Sequence, residues 1–247
     1  MSFLFVSMFS VLSAVLSSPS GKDVTFPSGK ETIKAYLAVP EKEGKHPAVL
    51  VIHEWWGLND QIKSVADRLA KEGYVALVPD LYRGKVGTDA ESAHELMRGL
   101  PEERAVADIR AAADFLGKHE RVASAKFGIV GFCMGGRLSL LSAIEDGRFA
   151  ATVICYGRPE TNPEKLKKVN GPVLGIFGGA DQGIGKDQTD ALEAGLKTAG
   201  KKGDIQVYDG CGHAFLNEKG KGYKEKEAAE AWKKIFEFFR KNLGAGS

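Results

Sequence analysis

A chain of 247 residues, 43% of them hydrophobic, can bury a sizeable core and falls in the range of a single large α/β domain. Its 34 Lys and Arg nearly balance 32 Asp and Glu, a formal net charge of +2, so charge gives no reason to expect nucleic acid or an acidic lipid surface as partner. Three cysteines, Cys133, Cys155 and Cys211, lack CxxC or CxxxC spacing, which argues against a disulfide framework and against a thiolate metal site.

The opening MSFLFVSMFSVLSAVLSSPS is apolar from Phe3 to Leu16 and too short for an ordinary membrane span of about 20 residues. It reads as an export signal directing the protein to a periplasmic or extracellular space. No Lys or Arg precedes Lys22, the pattern of an ordinary N-terminal extension on a cytoplasmic protein. Residues 21–247 are expected to form one domain.

Next, DVTF and ETIKAYLAV alternate polar and apolar residues around PSGK, which predicts an antiparallel hairpin with one solvated face. The pattern then changes to short, nearly continuous apolar runs: PAVLVIH, YVALVP, KFGIVG, ATVICY and PVLGIF. Such runs predict strands covered on both faces of a parallel sheet. Helical stripes alternate with them, Ile62, Val65, Ala66 and Leu69 in one and Val106, Ile109, Ala113 and Leu116 in another. A last strand, DIQVYD, precedes a long helix with Ala228, Ala231, Trp232, Ile235, Phe236 and Phe239 on one side. The order predicts a doubly wound, mostly parallel sheet after an antiparallel start, with helices on both faces.

In such sheets, chemistry gathers at the carboxyl ends of the strands. Four loops there are unusual: HEWWGLN, FCMGG, GGADQGI and GCGHAFLN. Gly131-Phe132-Cys133-Met134-Gly135 has the spacing of a nucleophile elbow, in which a strand turns sharply into a helix and strains its central residue. A thiol there sits beside a helix N-terminus, whose N–H groups and dipole favour the thiolate. Taken alone, the motif also fits a buried thiol between packing glycines.

Asp181 and His213 follow in the chain order that a nucleophile, acid and base triad takes, each directly after an apolar strand. His213 lies among Gly210, Gly212 and Ala214, and Asp181 could also serve a turn or cap near Asp187. His46 and His119 sit in charged surface stretches, and His53 adjoins and buttresses the HEWWG loop. In this constellation His213 carries protons, Asp181 fixes its tautomer, and Cys133 forms an acyl-enzyme that water hydrolyses. Two backbone donors are needed for the oxyanion: Met134, after the nucleophile, and Trp55 in the HEWWG loop. Glu54 has no place in triad logic.

Assembled, these motifs make the chain resemble the dienelactone hydrolase family of α/β-hydrolases, from about Asp23 to the final helix, through HEWWGLN, EGYVALVPDLYRG, GIVGFCMGG, GGADQ and GCGHAF. The resemblance implies the α/β-hydrolase fold, with Cys133 as nucleophile and His213 and Asp181 completing the triad. It also implies that Glu54 interacts with the thiol and helps take its proton, and that neither metal nor organic cofactor is required. Family members that cleave dienelactone present two arginines to the substrate carboxylate. Here the first position is nearest Arg83, about one residue early, and the second is Asn217, which has no charge. A less polar ester or lactone is therefore the expected substrate, with Tyr82, Arg83, Tyr156 and Asn217 as candidate contacts. A second reading, from another class, is a binding or redox-sensing protein that keeps the pocket and uses the thiol without turnover; the intact Asp and His argue against it. Oligomeric state is not legible in the sequence.

Overall fold

The structure, a computed structural model, describes residues 21–244. The segment read as an export signal lies outside them. Eight strands form one sheet in the order β1-β2-β4-β3-β5-β6-β7-β8. The hairpin β1 (Lys22–Ser28) and β2 (Glu31–Ala38) is antiparallel, and β2 also pairs antiparallel with β4 (Val75–Pro79). The remaining pairs, through β3 (His46–Ile52), β5 (Val122–Phe132), β6 (Phe149–Cys155), β7 (Val173–Gly178) and β8 (Gly203–Tyr208), are parallel. The hairpin turns at Gly29, whose φ of 59° is the left-handed conformation glycine adopts at least cost.

The continuous apolar runs are explained by two core layers. Side chains alternate across a strand, so Ala48, Leu50 and Ile52 of β3 join one layer while Val49 and Val51 join the other. The first layer is closed by α3 (Glu102–Gly117), α4 (Met134–Glu145) and α6 (Lys186–Thr198), the second by α1 (Asp60–Lys71) and α7 (Glu225–Leu243). Every residue of the Ile62 stripe is buried. On α3 the buried stripe runs through Ala105, Asp108, Ile109, Ala112, Ala113 and Leu116, leaving the expected Val106 half-buried at its edge. His46 is buried at the start of β3, its Nε2 2.8 Å from the Lys42 carbonyl; a position expected at the surface is held inside by that bond.

Two further helices are α2 (Ala90–Arg98) and the short α5 (Pro163–Leu166). α2 starts at a reciprocal capping box between Asp89 and Ser92, which satisfies two N–H groups that the first turn leaves orphaned.

The junction of β5 and α4 sets the geometry of the site. Cys133 caps α4 at φ 54° and ψ −119°, a conformation that costs a non-glycine residue about 1–3 kcal/mol. Its neighbours have no room for side chains. A Cβ on Gly131 would lie 2.0 Å from the Gly135 carbonyl oxygen, and one on Gly135 would lie 2.3 Å from that of Ile52. The first turn of α4 thereby lies against the carboxyl end of β3, which brings residues 53–56 to the elbow. Gly131→Ala should lower stability by about 2–3 kcal/mol, the upper part of the usual overpacking range, read as a lower urea midpoint at unchanged slope. An unchanged midpoint would contradict this account of the junction.

Candidate active site

Three elements converge on Cys133. From the elbow itself, Cys133 points into a cavity of about 380 Å³ that His213, Met134 and Tyr156 also line. From the loop after β8 comes His213, whose Nδ1 lies 2.7 Å from Asp181 Oδ2. The Nδ1–H donates there, leaving Nε2 as the nitrogen with a free lone pair. Asp181, on the loop after β7, is held by its other oxygen, which accepts from Gly183 N at 2.8 Å and Ile184 N at 3.2 Å. The two sequence readings of Asp181, turn former and histidine partner, thus meet in one side chain, one oxygen serving each. Its side chain is 1% exposed against 42% for His213, so the acid is rigidly buried while the imidazole reaches open space.

The third element is the loop after β3. Glu54 is buried, its Oε1 accepting from the Tyr156 hydroxyl at 3.2 Å and its Oε2 from Asn217 Nδ2 at 2.8 Å. Burial pushes its pKa up, against the opposing pull of these two bonds and of nearby His213. The backbone N–H groups of Met134 and Trp55, the two expected donors, both pull the Cys133 pKa down, so each lies close enough to act on the thiol.

Expectation and structure differ on the charge of the thiol. The α4 N-terminus favours thiolate, but burial and then the Glu54 carboxylate outweigh it, and the Cys133 pKa is pushed up to about 12 despite the N–H groups of Met134 and Trp55. Desolvation disfavours an anion more than two backbone donors favour it. The resting residue is a neutral thiol, and its sulfur has no hydrogen bond to His213 among the described residues.

Of the four candidate substrate contacts, only Tyr156 lines the cavity. Its ring packs edge-on to His213 at 5.3 Å between centroids, and its φ of 41° turns the chain after β6. Tyr82 is buried with its hydroxyl on Met134 Sδ at 3.3 Å. Asn217 holds Glu54. Arg83 is drawn away, its Nη1 2.7 Å from Asp108 Oδ2 and its Nη2 2.7 Å from Glu31 Oε2, because the buried Asp108 of α3 requires a cation beside it.

Residues 84–100, to which no expected element was assigned, supply part of the cavity wall. Met97 of α2 and Leu100 just beyond it stand with Leu138 of α4 and Ile184 to make the lining largely apolar. Asp89 three residues before Ser92, followed by Gly99 and Pro101, was the available signal for α2. At the rim Arg137 pairs with Glu102, while Arg158 has no ion partner among the described residues. Trp55 stands edge-on to His94 at 5.2 Å and to Trp56 at 5.0 Å; neither indole lines the cavity. Among the described residues no helix is long and apolar enough to cross a membrane.

Residues 33–243 match the family model described as the dienelactone hydrolase family. A protein of Methylorubrum extorquens, provisionally named a carboxymethylenebutenolidase, is 35% identical over 232 residues, covering 88% of this chain and 80% of its own. Protein usf of Aquifex pyrophilus is 34% identical, covering 90% and 99%. Among solved structures, a protein of Klebsiella pneumoniae provisionally described as a dienelactone hydrolase superposes with a TM-score of 0.82 at 29% identity, over 89% of this chain and 97% of its own. The fold is the α/β-hydrolase fold.

The raised pKa of Glu54 predicts how stability depends on pH. The folded protein holds this proton more tightly than the unfolded chain does, so Glu54 costs nothing below its ordinary value of 4.5 and lowers stability as pH rises through the raised value. Glu54→Gln should therefore match the wild type in urea midpoint near pH 4. At neutral pH its midpoint should lie above that of the wild type, the gap opening steadily as pH is raised from 4.5. A difference independent of pH would contradict the assignment.

Proposed function

The chain belongs to the dienelactone hydrolase family, and on that premise we propose that it hydrolyses small carboxylic esters or lactones through an acyl-enzyme on Cys133, without a cofactor. The observation that carries this reading is one cavity lined both by Cys133, on its strained elbow, and by a histidine held by a buried aspartate, with the N–H groups of Met134 and Trp55 acting on the same thiol. A pocket that only bound ligand would need neither the oriented base nor the paired donors.

In the resting state a neutral thiol resists oxidation and stray acylation, since the thiolate is the reactive form. When an ester enters, Glu54 takes the thiol proton; its raised pKa makes it a better acceptor than an ordinary carboxylate. The sulfur adds to the carbonyl carbon, and the carbonyl oxygen takes over the N–H groups of Trp55 and Met134 that face the sulfur at rest. Collapse breaks the ester C–O bond, and the proton passes through His213 to the departing alcohol oxygen. His213 Nε2 then takes a proton from water, hydroxide adds to the thioester, the C–S bond breaks, and the sulfur regains that proton. Asp181 keeps the imidazole in the tautomer these transfers require and steadies its cationic form.

Substrate class follows from the lining. Met97, Leu100, Leu138 and Ile184 favour an apolar acyl or alcohol portion. With Arg83 paired elsewhere and Asn217 holding Glu54, neither position that clamps the carboxylate in dienelactone-cleaving members is available here. The exposed Arg158 offers a cation to the cavity instead.

Cys133→Ala should lower turnover of p-nitrophenyl butyrate by at least about 10³-fold, as nucleophile removal does in other covalent hydrolases, with the fold intact by circular dichroism. Retention of wild-type turnover would overturn the mechanism.

A further inference from the structure

His53, at the carboxyl end of β3, is fully buried, and the proposed mechanism gives it no proton to move. Its ring is tied at both nitrogens. Nδ1 lies 2.6 Å from the Glu54 carbonyl oxygen, and Nε2 lies 3.4 Å from Leu81 N on the loop after β4. A carbonyl can only accept and a backbone N–H can only donate, so the proton sits on Nδ1 and the lone pair on Nε2. One neutral tautomer satisfies both partners, and full burial disfavours the charged form that would break the second bond. The Tyr82 ring, 5.0 Å away between centroids, closes the remaining side.

The carbonyl that His53 holds belongs to the Glu54–Trp55 peptide, whose N–H is the expected oxyanion donor of Trp55 and pulls the Cys133 pKa down. A peptide unit is planar and trans, so its C=O and N–H point in opposite directions; fixing the oxygen fixes the line along which the N–H points. A bond to the carbonyl also polarises the unit and strengthens its N–H as a donor. On that same carbonyl oxygen the loop itself places one longer bond, from Gly57 N at 3.2 Å, while the next peptide is held by Gly87 N on the Trp56 carbonyl at 2.9 Å.

We infer that His53 is a positioning residue, which holds the Glu54–Trp55 peptide by its carbonyl so that the Trp55 N–H is aimed at the developing oxyanion. The inference rests on the reading of Trp55 as an oxyanion donor, and it adds a residue outside the triad on which transition-state binding depends. Charge develops on the substrate oxygen only in the transition state, so loss of the clamp should appear in kcat and spare KM.

The two amide substitutions separate the functions of the two nitrogens. The side-chain amide of Asn can put its NH₂ where Nδ1 stands, and that of Gln can put its oxygen where Nε2 stands. His53→Ala and His53→Gln should lower kcat on p-nitrophenyl butyrate by about 10²-fold, the lower end for loss of one oxyanion donor, with KM within about threefold of wild type. His53→Asn should restore kcat to within about tenfold of wild type. Amide hydrogen exchange at Trp55 should quicken in His53→Ala and His53→Gln and stay slow in His53→Asn. Thermal unfolding establishes that each variant is folded; should His53→Ala not fold, the Asn and Gln pair carries the comparison. Equal kcat for those two, a His53→Ala enzyme as fast as wild type, or a fall in kcat with Trp55 exchange unchanged would overturn the inference. Cys133→Ala run in parallel separates the two levels: turnover retained there sinks the thiol mechanism itself, whereas its loss beside an indifferent His53 sinks only the positioning role.

Discussion

The close approach of α4 to the carboxyl end of β3 is the constraint on which the rest of the site depends. Gly131 has no space for a Cβ against the Gly135 carbonyl, and Gly135 has none against that of Ile52. At that separation the N–H of Met134, on the helix, and the N–H of Trp55, on the strand's loop, both act on the Cys133 thiol. The strain at Cys133 is the local cost of turning a strand into a helix within one residue. It is sustained by the buried strands and by α4, whose Leu138, Leu140, Ala143 and Ile144 are all in the core.

Two opposed electrostatic effects meet at that sulfur. Backbone donors and the helix terminus favour an anion there, while burial and the Glu54 carboxylate disfavour one. The second pair wins at rest, which leaves a neutral thiol surrounded by groups suited to negative charge. In the proposed mechanism that arrangement receives the oxyanion of the substrate, since preorganised donors stabilise charge without reorganising when it develops. Tyr156 and Asn217, which flank Glu54, and Asp181, which holds His213, each fix an ionisable side chain through a direct hydrogen bond.

Much of this was legible in the sequence because it rests on local pattern. The eight strands follow from period and run length, and the convergence of Cys133, Asp181 and His213 follows from chain order together with the rule that such sheets gather function at their strand ends. What escaped depended on burial and on long-range pairing. The sequence shows a helix N-terminus beside Cys133 but not the desolvation that outweighs it. It shows Arg83 near a candidate position but not Asp108, buried on a helix 25 residues away, that claims it. Asn217 lacks charge in the sequence; only the fold shows that it spends its amide on Glu54. His53 was legible as a buttress, although the peptide it holds emerged only with the positions of both ring nitrogens.

The central claim is that Cys133 carries the acyl group between the two halves of the reaction. Rapid acid quench of the wild-type enzyme during turnover of p-nitrophenyl butyrate, followed by peptide mass spectrometry, tests it directly. The account predicts a butyryl thioester on the peptide containing Cys133, formed within the burst of nitrophenol and absent from peptides containing Cys155 or Cys211. Turnover at full rate with an unmodified Cys133 at every quench time, and no burst, would contradict it.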